Sequence, residues 1–473
     1  MVVAVRLGQI SWGATCQAKA RKPFVPAIRG RKGCMMIDGT DSYNLAERCE
    51  RARRLFHETR AIRGWGSAVI LLYRILLSKM PLLLRHIWAA RRTAEVREAV
   101  AQGRIEACEA PYLAIAISGG LGDTLVIARF VRDIAIHVGE IRFDVFSPTP
   151  KHAAWVFRYV PGFRTAYYDV AFNRTLFEYD LSIRANQSAV VYQEHVRWDA
   201  VRHNHHLMEV IDSLIRFRPK IDVFVAHHPW LDHFLARTAV FAGASRRDFL
   251  HAMAGLRYSS NRLSISKDSS IVGRLGLSPG EYVTVHNGFD PGFVISAPRA
   301  TKCYPHFGAV VALLKDAMPN VIFVQVGTTT SKPIAECDLI LLNRTSLDEV
   351  AGLLSRALLH LDNEGGLVHL AACLGTRSAV VFGPTPHDYF GYPDNINITP
   401  PVCGGCWYMT RTWMDGCPKG HDTPVCLTEQ DPRAVADRVL VAVAEATGAC
   451  VELPPHPLEA GVSLMASAAR AAA

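Results

Sequence analysis

No run of this chain reaches the ~18 uninterrupted apolar residues that a membrane-spanning helix needs. The nearest approach, Ser67 to Ala90, is broken by Arg74, Lys79 and Arg85. It reads as a helix packed on its own protein, with an interfacial helix as the alternative. The first residues lack the basic, apolar and small-residue regions of a secretory signal. The cytoplasm is therefore the expected location, with peripheral attachment at the inner membrane as a variant. Charge is not in excess either. Charged residues make up 20% of the chain and hydrophobic ones 49%, which excludes a disordered protein. The basic residues are scattered, and no stripe of basic and aromatic side chains accompanies them, so no nucleic-acid partner is expected. The twelve cysteines are not spread evenly: four fall between Cys403 and Cys426. That clustering favours a metal over a disulfide framework.

What is present is long enough for two to four domains at 473 residues. The net charge of +9 fits acidic partners such as phosphorylated sugars or an anionic lipid surface. The most informative stretch is LHLDNEGGLVHLAACLGTRSAVVFGP, Leu359 to Pro384. Its pattern predicts a strand over 358–361, a turn through Asp362, Asn363, Glu364, Gly365 and Gly366, a helix over 367–374 and a second strand over 378–382. Strand, glycine turn and helix form half of a βαβ unit. The turn offers free backbone N–H groups and the positive end of a helix, which suits a diphosphate. Glu364 is placed to accept from ribose hydroxyls, and His369 faces the same space.

The same grammar occurs earlier. YLAIAI (112–117) is a buried strand, followed by SGGLGD (118–123) and a helical pattern over 124–136. Between them the periodicity predicts strands at 141–146 and 180–183, helices at 153–159 and 197–216, and a polar linker at 266–280. His203, His205 and His206 have poor spacing for one metal and read as surface histidines, as do His227 and His228. The second half starts with a strand at 282–286. Lys302 follows in TKCYP, then a helix over 306–317, a strand over 320–326 ending at Gly327, Thr328 and Thr329, a strand over 338–342, and a helix over 346–355 capped near Ser346. This alternation implies two doubly wound α/β domains, whose ligands bind beyond the carboxyl ends of the strands. Cys403, Cys406, Cys417 and Cys426 are spaced for a closed, structural tetrahedral zinc or iron site, with His421 as a substitute ligand. A helix over 431–446 ends the ordered part.

Four segments together resemble the heptosyltransferase family (glycosyltransferase family nine), including its autotransporter-protein branch: SGGLGDTL, TKCYP, NEGGLVHLAACLG and the cysteine segment. The resemblance spans roughly Pro111 to Ala446. It implies a GT-B fold, an α/β architecture of two Rossmann-like domains facing across a cleft, and an inverting glycosyl transfer with no catalytic metal. It implies an acceptor-binding domain at 111–275 and a nucleotide-sugar domain at 276–450 that includes the four-cysteine metal finger at 403–426. A helical accessory region (1–110) precedes them and a tail (451–473) follows. Asp123 matches the general base, a role a carboxylate at a strand–helix turn can fill; an N-capping role is the plainer alternative. Lys302 matches the lysine that stabilises the departing diphosphate. Gly119, Gly120 and Gly122 match the acceptor-side loop, and Gly327, Thr328, Glu364, Gly365, Gly366 and His369 the donor side. Where many members have Asp-Ser/Thr-Gly, this chain has Glu-Gly-Gly. The cysteines resemble the iron-binding finger of the autotransporter branch. The implied partners are a nucleotide-sugar donor, with ADP-heptose foremost, and a protein or glycolipid acceptor; contact with a membrane surface and a homo-oligomer stay open. The rival readings are a catalytically inactive GT-B scaffold and a metal-ribbon nucleic-acid-binding protein.

Overall fold

The structure is a computed structural model that describes residues 90–103, 110–293 and 297–447, together with 88 and 295. Residues 1–87, 89 and 104–109 of the helical accessory region expected over 1–110, and the tail expected at 451–473, lie outside the described residues. The part that is described is helical over 90–103.

Two sheets organise the rest. The first has the order β3-β2-β1-β4-β5: β1 (Tyr112–Ile117), β2 (Arg142–Ser147), β3 (Phe163–Tyr168), β4 (Leu181–Ala185) and β5 (Ala189–Val191). β1 to β4 are parallel, and β5 turns back antiparallel on β4. The second sheet has the order β11-β10-β9-β6-β7-β8 and is parallel throughout. Its strands are β6 (Tyr282–Val285), β7 (Ile322–Gln325), β8 (Leu339–Ile340), β9 (Leu359–Asn363), β10 (Ser378–Val381) and β11 (Ile396–Ile398). All six residues of β1 are buried, as expected for a strand covered by helices on both faces.

Several expectations shift in detail. The helix after β1 starts at Leu121 and runs to Val138, so Asp123 is its third residue and not part of a loop. The pattern read as one helix over 197–216 is two, Trp198–Val201 and His205–Phe217. The break is made by Asn204, whose side chain accepts from Leu207 N–H at 2.9 Å and caps the second helix. The polar stretch at 266–280 contains a short helix, Ser270–Arg274, whose Ile271 and Val272 pack under the second sheet beside Tyr282 and Val324. Ser346 caps the helix Leu347–Leu354 in a full capping box with Glu349, worth about 1 kcal/mol.

The largest apolar core does not belong to one sheet. It joins the helix Leu121–Val138 to Val368, Leu370 and Ala371 of the helix Gly366–Leu374, and to Trp407 and Trp413 of the cysteine segment.

Candidate functional site

In each sheet the chain works outward from a first strand on one side, then crosses back to its other side. In the second sheet β6, β7 and β8 run one way and β9 returns beside β6. The loops leaving β6 and β9 therefore diverge at the switch point, where open α/β sheets bind ligands. The loop after β6 carries Lys302, and the turn after β9 carries Glu364, Gly365 and Gly366. Lys302 Nζ lies 3.1 Å from Glu364 Oε2, with the two side chains 14% and 9% exposed. Burial works to raise the Glu364 pKa, but the Lys302 ammonium and His369 overcome it and hold the carboxyl at about 2. Burial works to lower that of Lys302, and Glu364 keeps it above the ordinary lysine value. Both groups are charged.

His369 Nε2 stands 3.8 Å from Glu364 Oε1, and its Nδ1 is 2.6 Å from the Tyr392 hydroxyl. That hydroxyl already accepts from Arg129 Nη2 at 2.6 Å, so its proton goes to His369 Nδ1. Burial lowers the His369 pKa. The ring is thus neutral, with its remaining N–H on Nε2, facing Glu364.

On the first sheet, Ser118 to Gly120 leave the carboxyl end of β1, and β4 crosses back beside it. Gly119 has φ +101°, a conformation that favours glycine, and it folds under the Asp123 carboxylate. Asp123 Oδ1 accepts from Arg246 Nη2 at 2.8 Å and from Gln187 Nε2 at 3.3 Å. Its Oδ2 accepts only the Gly120 N–H, at 3.3 Å. Asp123 is thus not the N-cap weighed from sequence, which is Gly120, but the third helical residue reaching back to it, and this leaves one carboxylate oxygen lightly held.

The two turns meet. A Cβ on Gly122 would lie 2.6 Å from His369 Cδ2 and 3.3 Å from Gly366 Cα. Two helix N-termini, one from each sheet, therefore abut with Asp123 on one side and the Lys302–Glu364 pair on the other. The carboxylate of Asp290, in the loop after β6, lies against Gly120. Gly365 is different: its backbone is extended, and a Cβ there would meet nothing within 4 Å. Gly327 closes β7 at φ +151°, and a Cβ there would lie 3.1 Å from His286 Cδ2. Thr328 is exposed beside it, 3.4 Å from Thr330 through their hydroxyls.

Four functional positions escaped the sequence reading. Arg246 is 2% exposed, and beyond its bond to Asp123 it keeps a buried Nη1 without a partner. Arg129 is fully buried and bonds Tyr392 across the halves. His286 Nδ1 donates to Asp362 Oδ1 at 2.7 Å, and His360 Nε2 reaches the other oxygen at 3.2 Å. Burial works to raise the Asp362 pKa, and the two histidines pull it below the ordinary value. His286 thereby presents its Nε2 edge toward Gly288 and Gly327, where Ser331 Oγ is buried without a partner. A polar residue in the last positions of a buried parallel strand, as in VTVH and LHLD, is the signal that would have found this pair.

The four cysteines are neighbours. Cys406 and Cys426 are buried, Cys403 and Cys417 half-buried. Burial and the adjacent sulfurs push Cys406 up to about 11 and Cys426 up to about 12. A bound cation would reverse both effects, and four thiolates match a tetrahedral iron or zinc. Gly405, at φ +62°, turns the chain back between the first two. Among the described residues, the group of three or more candidate ligands whose donor atoms all lie within 4.8 Å of one another is elsewhere, at His137, His206 and Glu209. The segment also braces the site: Thr301 N–H donates to the Met414 carbonyl at 2.9 Å, and Thr301 Oγ1 to that of Trp413. His421 is exposed.

Compared with known families, residues 267–400 match glycosyltransferase family 9 (heptosyltransferase). No curated protein matches the chain. Among solved structures it resembles ADP-heptose lipopolysaccharide heptosyltransferase II of E. coli, at 14% identity over 71% of this chain and 99% of that one, with a TM-score of 0.43. It resembles the iron-containing dodecameric glycosyltransferase TibC of enterotoxigenic E. coli at 15% identity, over 72% and 80% of the two chains, with a TM-score of 0.46. A family 9 glycosyl transferase from Veillonella parvula matches at 14% identity, over 71% and 98%, with a TM-score of 0.45. Identities this low speak of fold alone. The fold, two Rossmann-like sheets, parallel but for the edge strand β5, whose first turns meet, is GT-B.

Proposed function

From the premise that this chain is a glycosyltransferase of the heptosyltransferase family, we propose that it transfers heptose from ADP-heptose, with inversion, onto a hydroxyl of a protein or glycolipid acceptor. The observation that carries this reading is the abutment of Gly122 and Gly366. It brings a lightly held carboxylate and a cation-flanked helix N-terminus to the same point.

In this reading the half built on the first sheet (111–275) binds the acceptor beside Gly119, Gly120 and Gly122. The half built on the second (276–450) binds the donor. Asp123 Oδ2 takes the acceptor hydroxyl's proton as its oxygen attacks the anomeric carbon. The bond from that carbon to the diphosphate breaks on the opposite face, so the configuration inverts. The leaving group gains negative charge, and Lys302 and the N–H groups from Gly366 onward receive it. Glu364 aims Lys302 and offers its second oxygen to a sugar or ribose hydroxyl, with the His369 ring beside it at 3.8 Å. His286, with Gly327 and Thr328 near it, borders the nucleoside. Cys403, Cys406, Cys417 and Cys426 would hold one structural iron or zinc ion, whose part is to fix the segment that braces Thr301 next to Lys302.

No helix among the described residues is long and apolar enough to cross a membrane. Peripheral contact with an inner-membrane surface and assembly into a homo-oligomer are compatible with the reading but add nothing to its chemistry.

The test is thermal stabilisation by a panel of nucleotide diphosphates and nucleotide sugars. A ligand at a hundredfold excess over its Kd adds about 2.7 kcal/mol of apparent stability. A selective shift with ADP and ADP-heptose is expected. A shift with UDP or GDP compounds alone would replace the donor, and no shift from folded, metal-loaded protein would overturn the proposal.

A further inference from the structure

The helix that begins beside Asp123 ends, fourteen residues and about 21 Å later, in a second cluster of polar side chains. His137 lies in its last turn. The helix His205–Phe217 begins next to it and contributes His205, His206 and Glu209. His206 and His205 stand three and four residues before Glu209, so each flanks it on the helix surface. Glu209 Oε2 lies 3.2 Å from His206 Nδ1 and 3.4 Å from His137 Nε2, and Oε1 lies 3.4 Å from His205 Nδ1. The His137 and His206 rings are 4.7 Å apart.

This junction is built, not incidental. Asn204, which caps the second helix, donates its Nδ2–H to the Val138 carbonyl at 3.2 Å. The last turn of one helix and the first turn of the other are thereby fixed in register before any side chain of the cluster is considered.

Three imidazoles around one carboxylate make an unbalanced group. If all were protonated, adjacent cations would repel. If neutral, each ring has a lone pair that a carboxylate cannot satisfy and that, in these exposed side chains, is open to water or to a metal ion. A cation among them resolves both. The donor atoms of His137, His206 and Glu209 all fall within 4.8 Å of one another. Around a tetrahedral ion with bonds of about 2.1 Å, ligand atoms are about 3.4 Å apart, close to the Glu209 distances above. Imidazole nitrogen with one carboxylate selects zinc, nickel, cobalt or copper over magnesium or calcium.

We propose that His137, His206 and Glu209, with His205 as an accessory ligand, form a second metal site for a divalent transition ion of the zinc class, separate from the four cysteines. The site is solvent-facing and keeps an open position. A bound ion clamps the far end of the Asp123 helix to the helix that follows. Sequence spacing alone hides the site, because His205 and His206 are adjacent and His137 is remote in the chain.

The test uses the full chain, stripped of metal and titrated with zinc, counting bound ions per chain. Wild type is expected to bind one ion more than His137→Ala or Glu209→Gln, and to gain thermal stability on that binding step, which the variants lose. A remaining partial site in either variant should bind at least roughly tenfold more weakly. Cobalt substitution separates the two sites. Its intense sulfur-to-metal charge-transfer absorption reports the cysteines and should be the same in all three proteins. These are surface positions, so the stripped variants should unfold at the wild-type temperature; His206→Gln serves if either does not. Equal ion counts in wild type and variants, or zinc binding that disappears entirely with the cysteines, would overturn the proposal.

Discussion

Arg246 grips one oxygen of Asp123 and leaves the other: Nη2 to Oδ1 is 2.8 Å, with the guanidinium 2% exposed and the carboxylate 28%. Arg246 is anchored in turn by its own N–H, which donates to the Tyr389 carbonyl of the other half at 2.8 Å. Burial works to lower the Arg246 pKa, and Asp123 keeps it raised. The pair fixes the carboxylate with its Oδ2 turned away from Arg246, the oxygen that on the proposed reading meets the acceptor. Asp123→Asn keeps the shape but cannot take a proton, and transfer should fall roughly 100- to 10,000-fold in kcat with donor KM little changed. Initial rates with ADP-heptose would check this, and an undiminished rate would remove Asp123 from the chemistry.

The two glycines of the abutting turns should part company on substitution. Gly122→Ala would push its methyl into His369 and the Gly366 backbone, wedging the turns apart at a cost of about 1–3 kcal/mol, with loss of activity. Gly365→Ser places its side chain in open space and should fold like the wild type, with donor affinity kept or raised. Thermal unfolding and donor titration on both variants read this out. An inert Gly122→Ala would mean the contact is not needed.

Lys302 and Glu364 make a pH-dependent contribution. Glu364 is held at about 2 in the fold, below the ~4.3 of an unfolded chain. Its contribution is therefore complete above about pH 5 and is lost as pH falls toward 2, on the order of 3 kcal/mol in all. Lys302 is raised, so its share is present below its unfolded value and is lost only at more alkaline pH. Lys302→Met removes the cation. In the variant, burial is opposed by His369 alone, so Glu364 titrates higher there, and the stability gap between wild type and this variant, from urea unfolding, should be widest at neutral pH and shrink as pH falls. A gap independent of pH would break the assignment. The variant should also lose diphosphate affinity.

The cysteine segment should be felt at Lys302. Cys406→Ser, or a chelator that removes the proposed ion, should free the loop whose Met414 and Trp413 carbonyls hold Thr301. The expected result is a lower melting temperature and a raised donor KM, with kcat less affected. Equal KM values with and without metal would confine the segment to general stability.

The parts legible in the sequence were those with a local cause. YLAIAI and SAVVF are apolar because both faces of a parallel strand are covered, and Ser346 with Glu349 spells its capping box in four letters. The glycine turns were legible for the same reason. β3, FRTAYY, was not, since it is half-buried and carries an arginine; nor was β11, three residues around Asn397. The site was half readable. Asp123, Lys302, Glu364 and His369 lie next to strand ends, but Arg246 sits in SRRDF, which reads as a charged surface. Its burial depends on Tyr389 and on a carboxylate 123 residues away, and nothing local encodes that.

The buried Arg129 decides how this cleft can work. It hangs from the Asp123 helix and reaches Tyr392 at 2.6 Å on the far half. Swinging the halves apart would break this charge-assisted bond of a fully buried guanidinium, at a cost of about 1.5–3 kcal/mol, and leave it only Tyr258 and Asn261 as side-chain partners. Wide hinge opening is therefore not a cheap motion for this protein. On the proposed reading, substrates would then enter and leave along the seam of this joint rather than by a swing of the domains.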